Sequence, residues 1–449
     1  MRETELPEWR KNMNGTPVTY NDVSTKSSTG KLKNSLFVSV TGNALEWFDW
    51  TIYASFAPFI AKTMFSPSNA TSALLQTLGI FAVGFLARPF GGVLFARTAD
   101  RSGRRTALVL TMSLMAVGSL VIAFIPPYAR IGIFSSILLL IARLVQGLAH
   151  GGESGASYVY VSELAPAKNR GLWSSTVFMG ISAGVMLGSL FGVVLTRTLS
   201  TGQLLEWGWR VPFIAGALLG IFAFYLRRKT VETEVFRQQS VETPVATPSR
   251  GAKEKVHGAI KLFFLLGATN VAYYTWLSFA STYAISSKKV SPADAFTASL
   301  AAQFVGFLAL PLFGWLSDRI GRKPMALLTT VGFAAFSFPL DAIFSNNSWT
   351  LFASQSAALV IFAAVGSIYP AIMAEQFSTA NRTLGVGSVS SIAAVIFGGP
   401  APYLNSWLTS IGYHWLFTAY TVALNAIAAV FIVYMTETKG MDLRRKTIA

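Results

Sequence analysis

Ala96-Arg97-Thr98-Ala99-Asp100-Arg101-Ser102-Gly103-Arg104-Arg105 returns, half a chain later, as Gly314-Trp315-Leu316-Ser317-Asp318-Arg319-Ile320-Gly321-Arg322-Lys323. Asp318 follows Asp100 by 218 positions, and each copy reads as a loop between long apolar stretches. A second pair repeats at nearly the same offset. Glu163 precedes Arg170 by seven residues, and Glu375 precedes Arg382 by seven, 212 positions on. Two mostly apolar halves built to one plan describe a membrane transporter with internal repeats.

Composition places the chain in a bilayer. Hydrophobic residues make up 52% and charged residues 12% of its 449 positions, and the mean hydropathy is +0.50. A soluble chain of this length could not hide so much apolar surface with so few charges. With no cysteine, there is no disulfide framework and no thiol-ligated metal. His150, His257 and His414 are scattered, which argues against a metal centre. Residues 1–33 are polar, lack a cleavable apolar core, and read as a disordered cytoplasmic tail.

The expected fold is all-α, with twelve transmembrane helices in two six-helix bundles. The apolar segments run roughly 34–62, 72–97, 106–125, 131–162, 173–198 and 209–226, then 260–286, 292–317, 325–344, 349–377, 383–410 and 413–436. This makes 34–226 and 260–436 the bundles. Residues 227–259 form a cytoplasmic linker, charged and carrying Pro244 and Pro248, with room for one surface helix, and 437–449 form a cytoplasmic tail. With the N-terminus inside, 28 of the 36 Lys and Arg fall on inner segments and 6 on outer loops. That split puts both termini in the cytoplasm. The net charge of +16 then speaks of anionic lipid headgroups rather than nucleic acid.

Ionisable groups inside membrane helices are costly and need a partner or a wet cavity. In the first segment Asn43, Glu46, Asp49, Trp50 and Tyr53 recur at spacings of three and four, on one stripe. The fourth does the same with Arg143, Gln146, Gly147, His150 and Ser154, with Glu153 at the edge. The second contributes Arg88, followed by Pro89, which favours a bend. The matching stripe of the seventh is uncharged: Asn270, Tyr273, Tyr274, Ser278 and Ser281. Arg88 and Arg143 offer bidentate forks for carboxylates. In the alternative reading they only neutralise Glu46, Asp49 and Glu153. Those three acids are the candidate proton carriers, Glu46 and Asp49 first because they sit nearer mid-helix, with His150 as a further candidate. Gly180, Gly184, Gly188 and Gly192 strip one helical face for close packing, and Gly398-Gly399-Pro400 reads as a hinge.

The motif-bearing turns resemble the signature of the major facilitator superfamily. The first half resembles its metabolite:proton symporter family through Gly42-Asn43-Ala44-Leu45-Glu46-Trp47-Phe48-Asp49, Arg88-Pro89-Phe90-Gly91-Gly92, Gly151-Gly152-Glu153 and Glu206-Trp207-Gly208-Trp209-Arg210-Val211-Pro212-Phe213. Glu232-Thr233 and Phe236 add to the match. The resemblance implies alternating access in a bacterial inner membrane, by a protein acting as a monomer. Asp100, Arg104, Asp318 and Arg322 are then gating residues, and Glu163, Arg170, Glu375 and Arg382 partners in one cytoplasmic lock. No phosphate-binding loop appears, so a proton gradient, and no cofactor, is the expected energy source. Two buried arginines suit a dicarboxylate or related organic acid. A zwitterion such as betaine or proline is the alternative, held by cation–π contacts to Trp47, Trp50 and the seventh-segment tyrosines. A membrane enzyme or receptor fits poorly, since no nucleophile–base motif and no signalling domain stands out.

Overall fold

A computed structural model describes residues 25–102, 104–151, 154–229, 252–377 and 382–443. The chain divides into Met1–Phe37 and Val38–Ala449, and the account below concerns the second unit. Regular structure among the described residues is entirely helical. Twelve segments carry the fold. The first six are α1 (Thr25–Ser55, followed by Ala57–Met64), α2 (Ala70–Leu86 and Arg88–Ser102), α3 (Arg104–Phe124), α4 (Phe134–Gly151 and Ser154–Leu164), α5 (Arg170–Thr198) and α6 (Val211–Lys229). The second six are α7 (Ala252–Ala272, a π-helical turn Tyr273–Ser278, and Ala280–Ser286), α8 (Pro292–Ile320) and α9 (Arg322–Ile343), then α10 (Ser348–Gln376), α11 (Arg382–Ala393, a π-helical turn Ala394–Gly398, and Pro400–Ser410) and α12 (His414–Val433).

Eight of these helices are long and apolar enough to cross a bilayer, the bent α7 makes a ninth, and Val109–Phe124 and Gly208–Phe222 are shorter apolar helices. With α1 the segments number twelve, as the hydropathy pattern predicts. Their outer faces keep Phe90, Phe124, Leu218, Leu312 and Val430 exposed, a surface that suits lipid rather than water. Starts follow local chemistry. Asn69 accepts from the Ser72 N–H at 2.9 Å to cap α2, and Ser291 accepts from the Asp294 N–H, with Pro292 at the first position of α8.

Close crossings hold the frame. A Cβ at Gly184 would strike the Ala44 carbonyl of α1, and one at Gly180 would come within 2.6 Å of the Val40 carbonyl. The glycine stripe of α5 therefore lets two backbones touch. Farther along, α5 packs on α8 and α10 of the other half.

Three segments are interrupted. α2 breaks at Ala87, just before Arg88-Pro89, and α11 passes through its π-turn into Pro400, both where proline predicts it. α7 bends by 58° between Gly258–Ser278 and Ala280–Ser286. Its turn contains neither Gly nor Pro, so the extra residue of the π-turn is the cause. Two expectations are corrected. The repeated motifs are not loops, because α2 runs through to Ser102 and α8 to Ile320, and helix starts again at Arg104 and Arg322. The second turns on Gly321, whose φ of 113° excludes most side chains. The N-terminal tail also gives way to helix at Thr25, nine residues earlier than 34. Most of the linker, at 230–251, lies outside the described residues, as do 1–24.

Candidate functional site

α1 brings its polar stripe to the middle of the first bundle. Trp50 lies at the centre of a stack: the His150 ring packs against it at 5.2 Å and 25°. The guanidinium of Arg88 lies 4.2 Å from its ring centroid and that of Arg143 4.1 Å. His150 Nδ1 is 2.5 Å from Glu46 Oε1, and Trp47 meets the His150 ring edge-on at 5.4 Å. One cavity opens from this stack toward the second half. Arg88, His150, Trp47, Tyr158 and Phe178 line it on one side, and Thr269, Asn270, Tyr273, Tyr369, Ser390, Ser391 and Ala394 on the other. Two of the lining groups, Tyr273 and Ala394, belong to the π-turns of α7 and α11.

The two arginines differ in surroundings. Arg88 borders the cavity at 5% exposure; in it, as in Arg143, Nε and Nη2 have no hydrogen-bond partner among the described residues. Arg143 is wholly buried behind Trp50, over the Tyr53 ring at 4.3 Å. Its Nη1 donates to Gln146 Oε1 at 2.9 Å, and Gln146 Nε2 donates to Asp49 Oδ2 at 2.8 Å. Ser119 also donates to Asp49. Asp49 is thus tied through one amide to Arg143, inside the first bundle, whereas Glu46 belongs to the His150 stack. Three residues along a helix turn about 60° around its axis, enough to send the two acids to different neighbours.

The remaining predicted residues divide between cavity and packing. Asn43 donates to Ser157 at 3.0 Å, joining α1 to α4. Tyr53 donates to the Thr77 carbonyl. Asn270 and Tyr273 line the cavity, and Tyr274 packs against Phe85 at 5.2 Å. Glu153 lies outside the described residues. Tyr158, Phe178, Tyr369, Ser390 and Ser391 have no signal in the sequence, because they carry no charge and sit in ordinary apolar helices. Ser119 was missed for the same reason.

At the end bearing the motif turns, buried charges join the halves. Arg170 Nη1 donates to Glu375 Oε1 at 2.9 Å. Arg322 Nη1 pairs with Asp318 Oδ1 at 2.9 Å, and its Nε lies 3.4 Å from Glu375 Oε2. Arg382 Nη1 meets Glu163 Oε1 at 2.5 Å. Arg170 and Arg382 therefore each take the glutamate of the other half. Asp318 also accepts from the N–H groups of Gly171 and Leu172, at 2.8 and 2.9 Å, which caps α5 from across the divide. The side chains of Asp100 and Arg104 lie outside the described residues.

The segment after α12 completes this lock. The Met441 carbonyl accepts from Arg170 and that of Leu443 from Arg382, while Thr438 Oγ1 donates to Glu375 at 2.6 Å. Glu437 accepts from the Arg322 and Lys323 N–H groups that open α9, at 2.8 and 3.0 Å. Burial alone would push its carboxyl up, but the backbone N–H groups of Arg322, Lys323, Lys439 and Thr438 together hold it below the usual carboxylate range. A Glu-Thr-Lys run directly after an apolar segment was the available sequence signal.

The opposite end closes without buried charge among the described residues. Thr282 Oγ1, on the last limb of α7, donates to the Ala54 and Ser55 carbonyls of α1 at 2.6 and 3.1 Å. Phe56 packs on Phe296 at 5.4 Å.

Residues 35–241 match the family model "Sugar (and other) transporter" and residues 280–447 that of the Major Facilitator Superfamily. Relatives include the alpha-ketoglutarate permease of Escherichia coli (strain K12), 37% identical over 95% of this chain and 99% of that protein. The proline/betaine transporter of Salmonella typhimurium is 30% identical over 96% of this chain and 89% of its own length. The fold matches that of the proton:xylose symporter XylE bound to 6-bromo-6-deoxy-D-glucose, with a TM-score of 0.76 and 19% identity over 92% and 98% of the two chains.

Proposed function

The chain belongs to the major facilitator superfamily of multi-pass membrane transporters, and we propose that it imports a small organic acid with protons by alternating access. One observation carries this reading. Arg88 is a buried guanidinium on the cavity wall, with two nitrogens unpartnered among the described residues. Each orphaned buried donor costs about 1–3 kcal/mol, and a substrate carboxylate relieves both through the planar fork. Asn270, Ser390, Ser391 and Tyr369 face it with neutral hydrogen-bonding groups suited to a second oxygen-rich end. A dicarboxylate such as alpha-ketoglutarate fits that layout, and a relative 37% identical bears that substrate in its name.

The proton belongs, on this reading, to the Glu46–His150 pair, which shares Trp50 with Arg88. Substrate charge arriving at Arg88 is then felt directly by the pair. Asp49, held by Ser119 and Gln146, keeps Arg143 in place. The proton gradient of a bacterial inner membrane supplies the energy, and the motif end faces the cytoplasm, where the sequence puts most of the basic residues.

A zwitterion is the second reading, favoured by the aromatic wall of Trp47, Tyr158, Phe178, Tyr273 and Tyr369 and by the proline/betaine relatives. Purified protein separates the two. Alpha-ketoglutarate is expected to raise the melting temperature and glycine betaine to leave it unchanged, with the rise lost in Arg88→Lys. Stabilisation by betaine alone would replace the organic acid with a zwitterion.

A further inference from the structure

Away from the central cavity, the second half holds another cavity at the end opposite the motif turns. Trp276, Phe279, Tyr283, Asp341, Asn405 and His414 are among the residues that line it. His414, the first residue of α12, places Nε2 2.7 Å from Asp341 Oδ1 of α9 and Nδ1 2.9 Å from Thr409 Oγ1 of α11. Tyr283, on the last limb of α7, stacks on the imidazole at 5.2 Å and 22°, its hydroxyl 3.3 Å from Nε2. Thr418 donates to the other oxygen of Asp341 at 3.2 Å. The titratable groups that face His414 among the described residues are Asp341 from α9 and Tyr283 from α7. Lys288, from the turn that follows, lies across the Tyr283 ring at 5.7 Å.

With its hydroxyl hydrogen on the Asn405 carbonyl, 2.7 Å away, Thr409 accepts from the ring, and an ionised Asp341 can only accept. In that arrangement both ring nitrogens carry hydrogen and the ring is an imidazolium. The same limb of α7 reaches α1 from its other side, through Thr282 and the Ala54 and Ser55 carbonyls.

We infer that His414 and Asp341 form a proton-binding site, separate from the central cavity, that holds the last limb of α7 against α1 when its proton is bound. The side chains of His414 and Asp341 are 20% and 24% exposed, so water on that face supplies and removes the proton. Loss of the proton removes one donor from the ring, loosens Tyr283 and frees the limb. Acid then favours closure at this end and alkali favours opening, whatever the substrate.

The chain lacks cysteine, so a single introduced thiol reports on the limb. Ser281→Cys sits beside Thr282 at a position 4% exposed. Its rate of reaction with a membrane-impermeant maleimide is taken relative to that of the exposed Ser68→Cys, from pH 5 to pH 8. The relative rate is expected to rise roughly tenfold, the change in equilibrium for one charge-assisted hydrogen bond lost. His414→Gln and Asp341→Asn should each flatten the profile, and His150→Gln should keep it steep. Nitrogen-15 spectra of the wild-type histidine rings provide a readout free of substitution, and the His414 ring should carry two N–H groups in acid. A profile that stays steep in both His414→Gln and Asp341→Asn overturns the proposal. So does one that flattens only in His150→Gln, or a His414 ring with a single N–H at pH 5.

Discussion

The two ends of the molecule close by different means. At the motif end, Arg170, Arg322 and Glu375 are buried and mutually paired, and Asp318 reaches across to cap α5. At the other end, hydroxyl–carbonyl bonds and aromatic contacts do the work. Its ion pairs are only partly buried or exposed: His414 and Asp341 lie 2.7 Å apart at 20% and 24% exposure, and Arg197 and Asp294 lie 3.9 Å apart, more than half exposed, a geometry worth little in stability. Charges taken out of water hold firmly only while every partner is present. The motif end is therefore all-or-none, and the other end yields in small steps. On the proposed alternating access, a transporter so built rests closed at its charged end and admits substrate from the other.

The sharpest way to break this asymmetry is Glu375→Gln, which deprives two buried arginines at once. Removing one partner of a buried pair costs about 3–5 kcal/mol, here charged to the closed state. A single cysteine at Ser175, buried beneath the lock, should become reactive by two or more orders of magnitude; unchanged reactivity would mean that closure does not depend on these charges.

Next in size is the contrast between the arginines. Arg88→Lys should weaken substrate binding by about 1.5–3 kcal/mol, the worth of a hydrogen bond to a charged group. Arg143→Lys, behind Trp50, should cost binding less and thermal stability more. Equal losses of affinity, measured by calorimetry, would bring both guanidiniums to the substrate.

A smaller effect belongs to the end opposite the motif turns. Thr282→Val removes hydrogen bonds worth about 0.5–1.5 kcal/mol and should raise the reactivity of Ser281→Cys several-fold while leaving Ser175→Cys protected. A rise at Ser175 instead would make the two ends one rigid unit.

The smallest is a pH effect at Glu437. Its folded carboxyl titrates below the usual range, so its contribution is present above the unfolded value and fades as pH falls through the lower folded one. Closure of the motif end should weaken in that acid range, and Glu437→Gln should remove this part of the dependence. Retention of the full dependence in the variant would assign it elsewhere.

Much of the architecture is legible in the sequence, because a bilayer demands runs of apolar residues and prolines mark the interruptions of α2 and α11. The bend of α7 is not, since a π-turn leaves no residue signature in Tyr273–Ser278. The seven-residue spacing of Glu163 to Arg170 and of Glu375 to Arg382 announces a repeat, yet it cannot say that each arginine crosses to the other half. A shared stripe likewise groups Glu46 with Asp49. Only the packing of His150 on one side and Gln146 on the other separates them. The cavity wall of α7, α10 and α11 was hardest to read, because tyrosines and serines in apolar helices look like any other core.

Uptake into proteoliposomes under an imposed pH gradient tests the account most directly, with labelled alpha-ketoglutarate as substrate. The account predicts accumulation that collapses when the gradient is dissipated. Accumulation should also be lost in Glu46→Gln, whose amide cannot release a proton, while downhill exchange survives. Gradient-driven accumulation that persists in Glu46→Gln and His150→Gln, or no accumulation of the acid by the wild-type protein, would contradict it.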